Sequence, residues 1–326
     1  MKIGMLGAGA WGFCLATVLA ENGHLVILWA KDGELIDSLR RGDKHPKLKS
    51  YVVHPSIKLT EHIEEATEGV DLIVEAVTSR GVRPVLEGLK KVSAPVVITS
   101  KGIEEGTGLL LTEVAREILG TDQIGCLSGP SLAEEVMRKL PTSVVCSSYD
   151  NEVMELIRAA FSSPYFRVYP NNDMVGVSFG GAMKNIIAIA CGISDGLGFG
   201  QNTKAALMTR GLHEIRKLGL TLGCRQDTLN GLAGLGDLCV TCLSSLSRNY
   251  LFGRHLAQGE NAEEAKEKIG MVVEGAFTCV AALELAEKMQ VALPIAEAVY
   301  RVIYQGDNPK DAVTALLQRA VKEEHL

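Results

Sequence analysis

The spacing of apolar positions changes once along the chain. Between residues 2 and 170, short aliphatic and β-branched runs alternate with stretches whose apolar positions recur every three or four residues. The runs at 2–6, 25–29, 71–77, 95–100, 123–127 and 142–147 predict strands. The stretches at 11–22, 81–92, 107–119 and 151–161 predict helices. The strands are nearly continuous in apolar character, as strands covered on both faces are. The alternation therefore predicts a parallel sheet with helices on either side and right-handed crossovers.

After Asn171 the strand signal stops. Helical periodicity covers 173–193, 204–218, about 230–246, 262–269, 276–289, 294–304 and 309–322, with Pro294 and Pro309 in first-turn positions. The predicted fold class is α/β: an N-terminal Rossmann-like parallel-sheet domain, residues 1–170, followed by an all-helical C-terminal domain, residues 171–326. A length of 326 residues is long for one core and agrees with two units. No low-complexity linker or repeat interrupts the chain, and the KEEHL tail reads as a frayed helix end.

Composition narrows the function. The chain is 47% hydrophobic and 22% charged, with a formal net charge of -6. That balance lacks the basic face a nucleic-acid binder needs. Eight cysteines lie mostly in apolar surroundings, which suits reduced, packed thiols. Residues 3–20 are uncharged and end in small residues, a pattern shared with signal peptides and membrane spans. Glycines 4, 7, 9 and 12 interrupt that run and have a better explanation. No other apolar run is read as approaching spanning length, so the expectation is a cytoplasmic protein without stable membrane insertion.

Gly7, Gly9 and Gly12 form G-x-G-x-x-G between the first strand and first helix. In that context the first glycine serves a tight turn, the second the approach of a pyrophosphate, and the third close helix–strand packing. The helix N-terminus then faces the phosphates with unpaired N–H groups. The second strand ends Trp29-Ala30-Lys31-Asp32. Lys31 suits a ribose 2′-phosphate and Asp32 repels one, so NADPH and NADH both stay open, with a lean toward NADP use or dual use. A solvated loop charge is the competing reading of Lys31.

Three charged residues stand out in apolar or glycine-rich settings. Lys101 follows the strand in VVITSKG, at the strand end that borders the ligand crevice of a doubly wound sheet; a snorkelling surface lysine is the alternative. Lys184, in GGAMKNIIAIACG, has Gly180, Gly181, Ile187 and Ala188 as helical neighbours. Burial on such a face lowers a lysine's pKa toward neutrality and suits it to proton transfer. Asp237, in GLAGLGDL, is its natural counter-charge, although a purely structural Lys–Asp pair would look the same.

These segments carry a family resemblance. SKGIE (100–104), SGPSLA (128–133), the run 180–212, GLAGLGDL (231–238), SRN (247–249) and VVEG (272–275) occur in an order that resembles the bacterial NAD(P)-dependent glycerol-3-phosphate dehydrogenases over nearly the whole chain. The resemblance implies reversible reduction of dihydroxyacetone phosphate to sn-glycerol 3-phosphate with NADPH or NADH, for glycerophospholipid synthesis. It implies Lys184 as general acid/base, Lys101 as a substrate and cofactor contact, and Asp237 as the residue orienting the lysine and a substrate hydroxyl. It implies Ser247, Arg248 and Asn249 at the substrate phosphate, with Gly129 and Ser131 as further substrate contacts. Cofactor contacts implied beyond the glycines are Trp11, Lys31, Lys101, Ala133, Arg248, Val272 and Glu274. A homodimer fits the family, and no residue proves it.

The chain departs from the family in places. Ser178 and Phe179 replace the usual Glu-Leu before GGA, Gln201 replaces an Asp, Thr78 replaces a proline, and 47–54 lacks the usual Pro-Gly-rich loop. None of these falls on the implied catalytic set. Cys239-Val-Thr-Cys242 has no second ligand pair with metal spacing and reads as packing, so no metal is expected. Two alternatives remain from the sequence: a related dehydrogenase acting on a hydroxy acid or sugar acid, and a non-catalytic dinucleotide sensor.

Overall fold

The computed structural model describes residues 1–89 and 92–320. The tail read as a frayed helix end lies outside the described residues. Eight strands form one sheet: β1 (Lys2–Leu6), β2 (Leu25–Trp29), β3 (Ile57–Thr60), β4 (Leu72–Glu75), β5 (Val96–Ile98), β6 (Ile124–Ser128), β7 (Thr142–Ser148) and β8 (Phe166–Pro170). Their order is β3-β2-β1-β4-β5-β6-β7-β8. The strand order reverses beside β1, between β1 and β4, where a doubly wound sheet opens its ligand crevice.

The structure corrects the sequence reading at several points. The sheet is not wholly parallel, because β6 and β7 run antiparallel. Strands β3 and β8 lie outside the predicted set; both are edge strands, and β8 alternates buried and exposed residues instead of forming a continuous apolar run. The predicted 230–246 helix is broken into a π-helical turn, Leu232–Gly236, and a helix, Asp237–Leu243. Helices Gly33–Arg40 and Arg248–Ala257 are likewise additions to the predicted set.

A further correction concerns membrane-length segments. Helix Met174–Gly196 is long and apolar enough to cross a membrane, with 89% of its most apolar window buried inside the protein. It is apolar all round because it forms the axis of the helical region, with other helices against several faces. Residues 3–20, by contrast, form β1, a turn and helix Ala10–Glu21.

Beyond Pro170 all regular structure among the described residues is helical. Two glycines set the most consequential helix crossing. A Cβ on Gly192 would overlap the Tyr250 carbonyl oxygen, and a Cβ on Gly253 would overlap that of Ile189. Their absence lets helix Arg248–Ala257 lie backbone to backbone on helix Met174–Gly196. Phe179, Ile186, Ile187, Leu238 and Phe252 fill the core around that contact with no exposed surface. Tyr250 adds a polar lock: its hydroxyl donates to Asp195 at 2.5 Å, and the buried Lys204 pairs with the same carboxylate.

Candidate active site

The first turn of the chain has the geometry the glycine pattern predicted. Gly7 adopts φ +115, which favours glycine, and a Cβ there would lie 2.6 Å from the Ala76 carbonyl oxygen. A Cβ on Gly12 would overlap the Gly7 carbonyl oxygen, so the third glycine seats the helix on the turn. Gly9 is the N-cap of helix Ala10–Glu21, with no side-chain cap, and a Cβ there would project into open space. Uncapped N–H groups facing an open cradle fit a dinucleotide pyrophosphate.

Around this cradle the other cofactor candidates are spread out. Trp11 is half-buried in the first turn of the helix, and Ala133 opens helix Ala133–Met137, its carbonyl accepting from the Cys14 thiol. Lys31 is exposed just past β2. Asp32 caps helix Gly33–Arg40 by accepting from the Leu35 N–H at 3.1 Å. Val272 is exposed, whereas Glu274 begins helix Glu274–Lys288 and accepts from the N–H and hydroxyl of Ser79. Burial raises the Glu274 carboxyl above its ordinary range, and Ser79 and Arg248 oppose that shift.

The three charged residues singled out in the sequence meet at one point. Asp237 has no exposed surface. Its Oδ1 is held by the Lys184 ammonium, and its Oδ2 by Lys101 Nζ at 2.5 Å. Lys101 also donates to the Gly129 carbonyl at 3.2 Å, and the Ser131 hydroxyl donates to the same carbonyl at 2.9 Å. Gly180 and Gly181 make room for this meeting: a Cβ on Gly181 would lie 2.5 Å from Ser128 Oγ and 3.4 Å from Lys101 Cδ. The π-helical turn before Asp237 aims its carboxylate back at Lys184, and such turns are frequent at functional sites.

Two ammonium groups thus share one buried carboxylate. Burial lowers the Lys184 pKa to about 7; Asp237 opposes the shift and Lys101 adds to it. Lys184 is the more deeply buried of the two lysines, and its burial is what destabilises its ammonium.

Beside this cluster lies a corner whose residues suit an anion. Ser247 caps helix Arg248–Ala257, its hydroxyl accepting from the Tyr250 N–H at 3.3 Å. Arg248 stands in the first turn, buried enough to lower its pKa, with the Glu274 charge acting against that shift. It makes no ion pair among the described residues. Asn249 Oδ1 accepts from the Gly275 N–H at 2.9 Å, and a Cβ on Gly275 would sit 2.7 Å from the Asn185 carbonyl oxygen. Asn249 is therefore packed beside the residue that follows Lys184. A helix N-terminus with a guanidinium in its first turn suits a phosphate.

Sequence reasoning gave no role to two residues here. Ser128 Oγ is buried without a hydrogen-bond partner among the described residues, next to Lys101. Glu75, with no exposed surface, accepts from the Val77 N–H at 2.6 Å and contacts Ser100 Oγ at 2.7 Å. A carboxylate ending an apolar strand was the available signal for Glu75. All eight cysteines are unpaired, and no cluster of three potential metal ligands occurs among the described residues.

A glycine cradle that fits a pyrophosphate, a lysine whose ammonium is destabilised by burial and a corner suited to a phosphate are the features of a dinucleotide-dependent oxidoreductase. Residues 2–154 match the NAD-dependent glycerol-3-phosphate dehydrogenase N-terminus, and residues 173–314 match the C-terminus of the same family. The chain is 55% identical over 331 aligned positions to the glycerol-3-phosphate dehydrogenase [NAD(P)+] of Protochlamydia amoebophila, covering 100% of this chain and 99% of that protein. It is 53% identical to the Chlamydia abortus protein of the same name, again over 100% and 99% of the two chains. The crystal structure of glycerol-3-phosphate dehydrogenase from Coxiella burnetii superposes with a TM-score of 0.93 at 38% identity, covering 98% of this chain and 99% of that one. The chain belongs to the NAD-dependent glycerol-3-phosphate dehydrogenase family.

Proposed function

We propose that the protein catalyses the reversible NAD(P)H-dependent reduction of dihydroxyacetone phosphate to sn-glycerol 3-phosphate, supplying glycerophospholipid synthesis. The observation that carries this reading is the sharing of Asp237 by Lys184 and Lys101. Lys184 protonates the carbonyl oxygen and recovers the proton from solvent; in the reverse direction its neutral amine removes the hydroxyl proton. A bound reduced nicotinamide supplies the hydride. Asp237 holds Lys184 in place, and Lys101 adds positive potential where the alkoxide develops.

Ser247, Arg248 and Asn249 grip the substrate phosphate, and that remote grip orients the carbonyl. Gly129 and Ser131 line the substrate side. Gly7, Gly9, Trp11, Gly12, Lys31, Ala133, Val272 and Glu274 contact the cofactor, together with Lys101 and Arg248. A division near residue 170, into a dinucleotide-binding domain and a helical substrate domain, is supported by the end of the sheet at Pro170 and by the gap between the two family matches. A cytoplasmic homodimer without membrane insertion completes the proposal.

The test is oxidation of NADPH and of NADH, followed by absorbance, with and without dihydroxyacetone phosphate. Ketone-dependent oxidation supports the reading. A folded protein that binds NADPH and oxidises it with no phosphorylated ketone would overturn it.

A further inference from the structure

The Ser100 hydroxyl sits between two groups that both read as acceptors. Its oxygen lies 2.5 Å from the Val77 carbonyl oxygen and 2.7 Å from Glu75 Oε1. A carbonyl can only accept, so if both contacts are hydrogen bonds the single Ser100 proton goes to Val77. The contact with Glu75 is then a hydrogen bond only if Glu75 donates. A carboxylic acid can do this, and its hydroxyl oxygen keeps a lone pair for the Val77 N–H at 2.6 Å.

The surroundings agree. Glu75 has no exposed surface and forms no ion pair among the described residues. Leu6 of β1 and Ile98 of β5 flank it in register. Thr99 and Ser100 face it from the end of β5, and Val77 from its own strand exit; none of these titrates near neutrality. The adjoining Lys101 directs its ammonium to Asp237 and the Gly129 carbonyl. A buried carboxylate without a cation is costly, and burial raises the Glu75 pKa to about 7 against the backbone N–H groups of Val77, Ser100 and Thr99, which favour the charged form.

Glu75 joins two loops that the active site depends on. The exit of β4 runs through Ala76, whose carbonyl packs on Gly7 of the dinucleotide turn, to Ser79, which meets Glu274. The exit of β5 runs through Ser100 to Lys101. We propose that Glu75, as a neutral carboxylic acid, is a positioning residue that clamps the dinucleotide turn to the Lys101 loop through Ser100. The role in catalysis rests on the proposed reduction; the protonation state does not.

Three variants and two readouts test this. Glu75→Gln retains an uncharged acceptor for the Val77 N–H but cannot both accept and donate at that oxygen. Glu75→Leu removes the clamp, and Ser100→Ala removes its middle member. Expected kcat values fall in the order parent, Glu75→Gln, Glu75→Leu, with Glu75→Leu and Ser100→Ala each losing about 10-fold or more. If Glu75→Leu does not fold, Ser100→Ala decides the point. Equal kcat in parent and folded Glu75→Leu, or in parent and Ser100→Ala, would overturn the clamp.

The second readout needs no turnover. A carboxyl raised in the folded state favours folding most at low pH, and that contribution fades as pH rises from the ordinary 4.5 to about 7. Parent stability should therefore decline relative to Glu75→Gln over that window, and parent should show a carboxylic-acid infrared band near neutrality that Glu75→Gln lacks. Parallel stability curves and no band would overturn the neutral acid. Failure of the parent to turn over any ketone would instead count against the proposed function.

Discussion

The ammonium of Lys184 is held on Oδ1 of Asp237, a carboxylate with no exposed surface. Lys101 takes the other oxygen, so while Lys184 is protonated the cluster carries one positive charge more than Asp237 offsets. That surplus is what a developing alkoxide would consume.

Replacing Lys184 by Ala removes the proposed proton donor but leaves Asp237 paired with Lys101, so the fold should survive. The expected outcome is a fall in kcat of about 100-fold or more with NADPH affinity nearly unchanged. Steady-state kinetics beside a direct NADPH titration check it; an unchanged kcat would remove Lys184 from the mechanism.

The direction of the pH effect follows from the Lys184 pKa of about 7. Below that value the group is an ammonium and can donate. For ketone reduction kcat/KM should fall as pH rises through about 7, and for glycerol 3-phosphate oxidation it should rise over the same range. Asp237→Asn removes the only anion of the cluster and should shift both breaks to lower pH. Rate profiles for the two directions, measured on parent and variant, give the answer.

At the proposed phosphate corner, Arg248→Ala should raise KM for dihydroxyacetone phosphate by about 30-fold or more, equivalent to about 2 kcal/mol. Arg248→Lys keeps a charge but loses the planar fork and should recover only part of the loss. If neither variant changes KM or kcat/KM, the phosphate binds elsewhere.

Cofactor choice should depend on Lys31 rather than on Asp32. The Asp32 side chain is engaged in capping its helix, so Asp32→Ala should cost about 1 kcal/mol of stability, read by denaturant unfolding. Lys31→Ala should lower the NADPH-to-NADH rate ratio without that stability loss. A ratio that follows Asp32 instead would reverse the assignment.

The sequence by itself determined what local chemistry can specify. The glycine fingerprint was legible because turn, cradle and helix seat lie within six residues: Gly7 and Gly12 leave no room for a Cβ, and Gly9 keeps the cradle open. The central strands were legible because burial on both faces leaves a continuous apolar run. The edge strands β3 and β8 were not, since a half-covered strand alternates and blends into loop composition. Lys184 and Asp237 could be nominated as a pair from their settings, but only tertiary structure brought Lys101 to the second oxygen, across 136 residues of chain. It also decided that Asp32 serves its helix and that Glu75 lies between the Val77 and Ser100 loops. Close backbone crossings at glycines and the competition of several donors for one buried carboxylate depend on where distant segments meet, and residue order does not encode that distance directly.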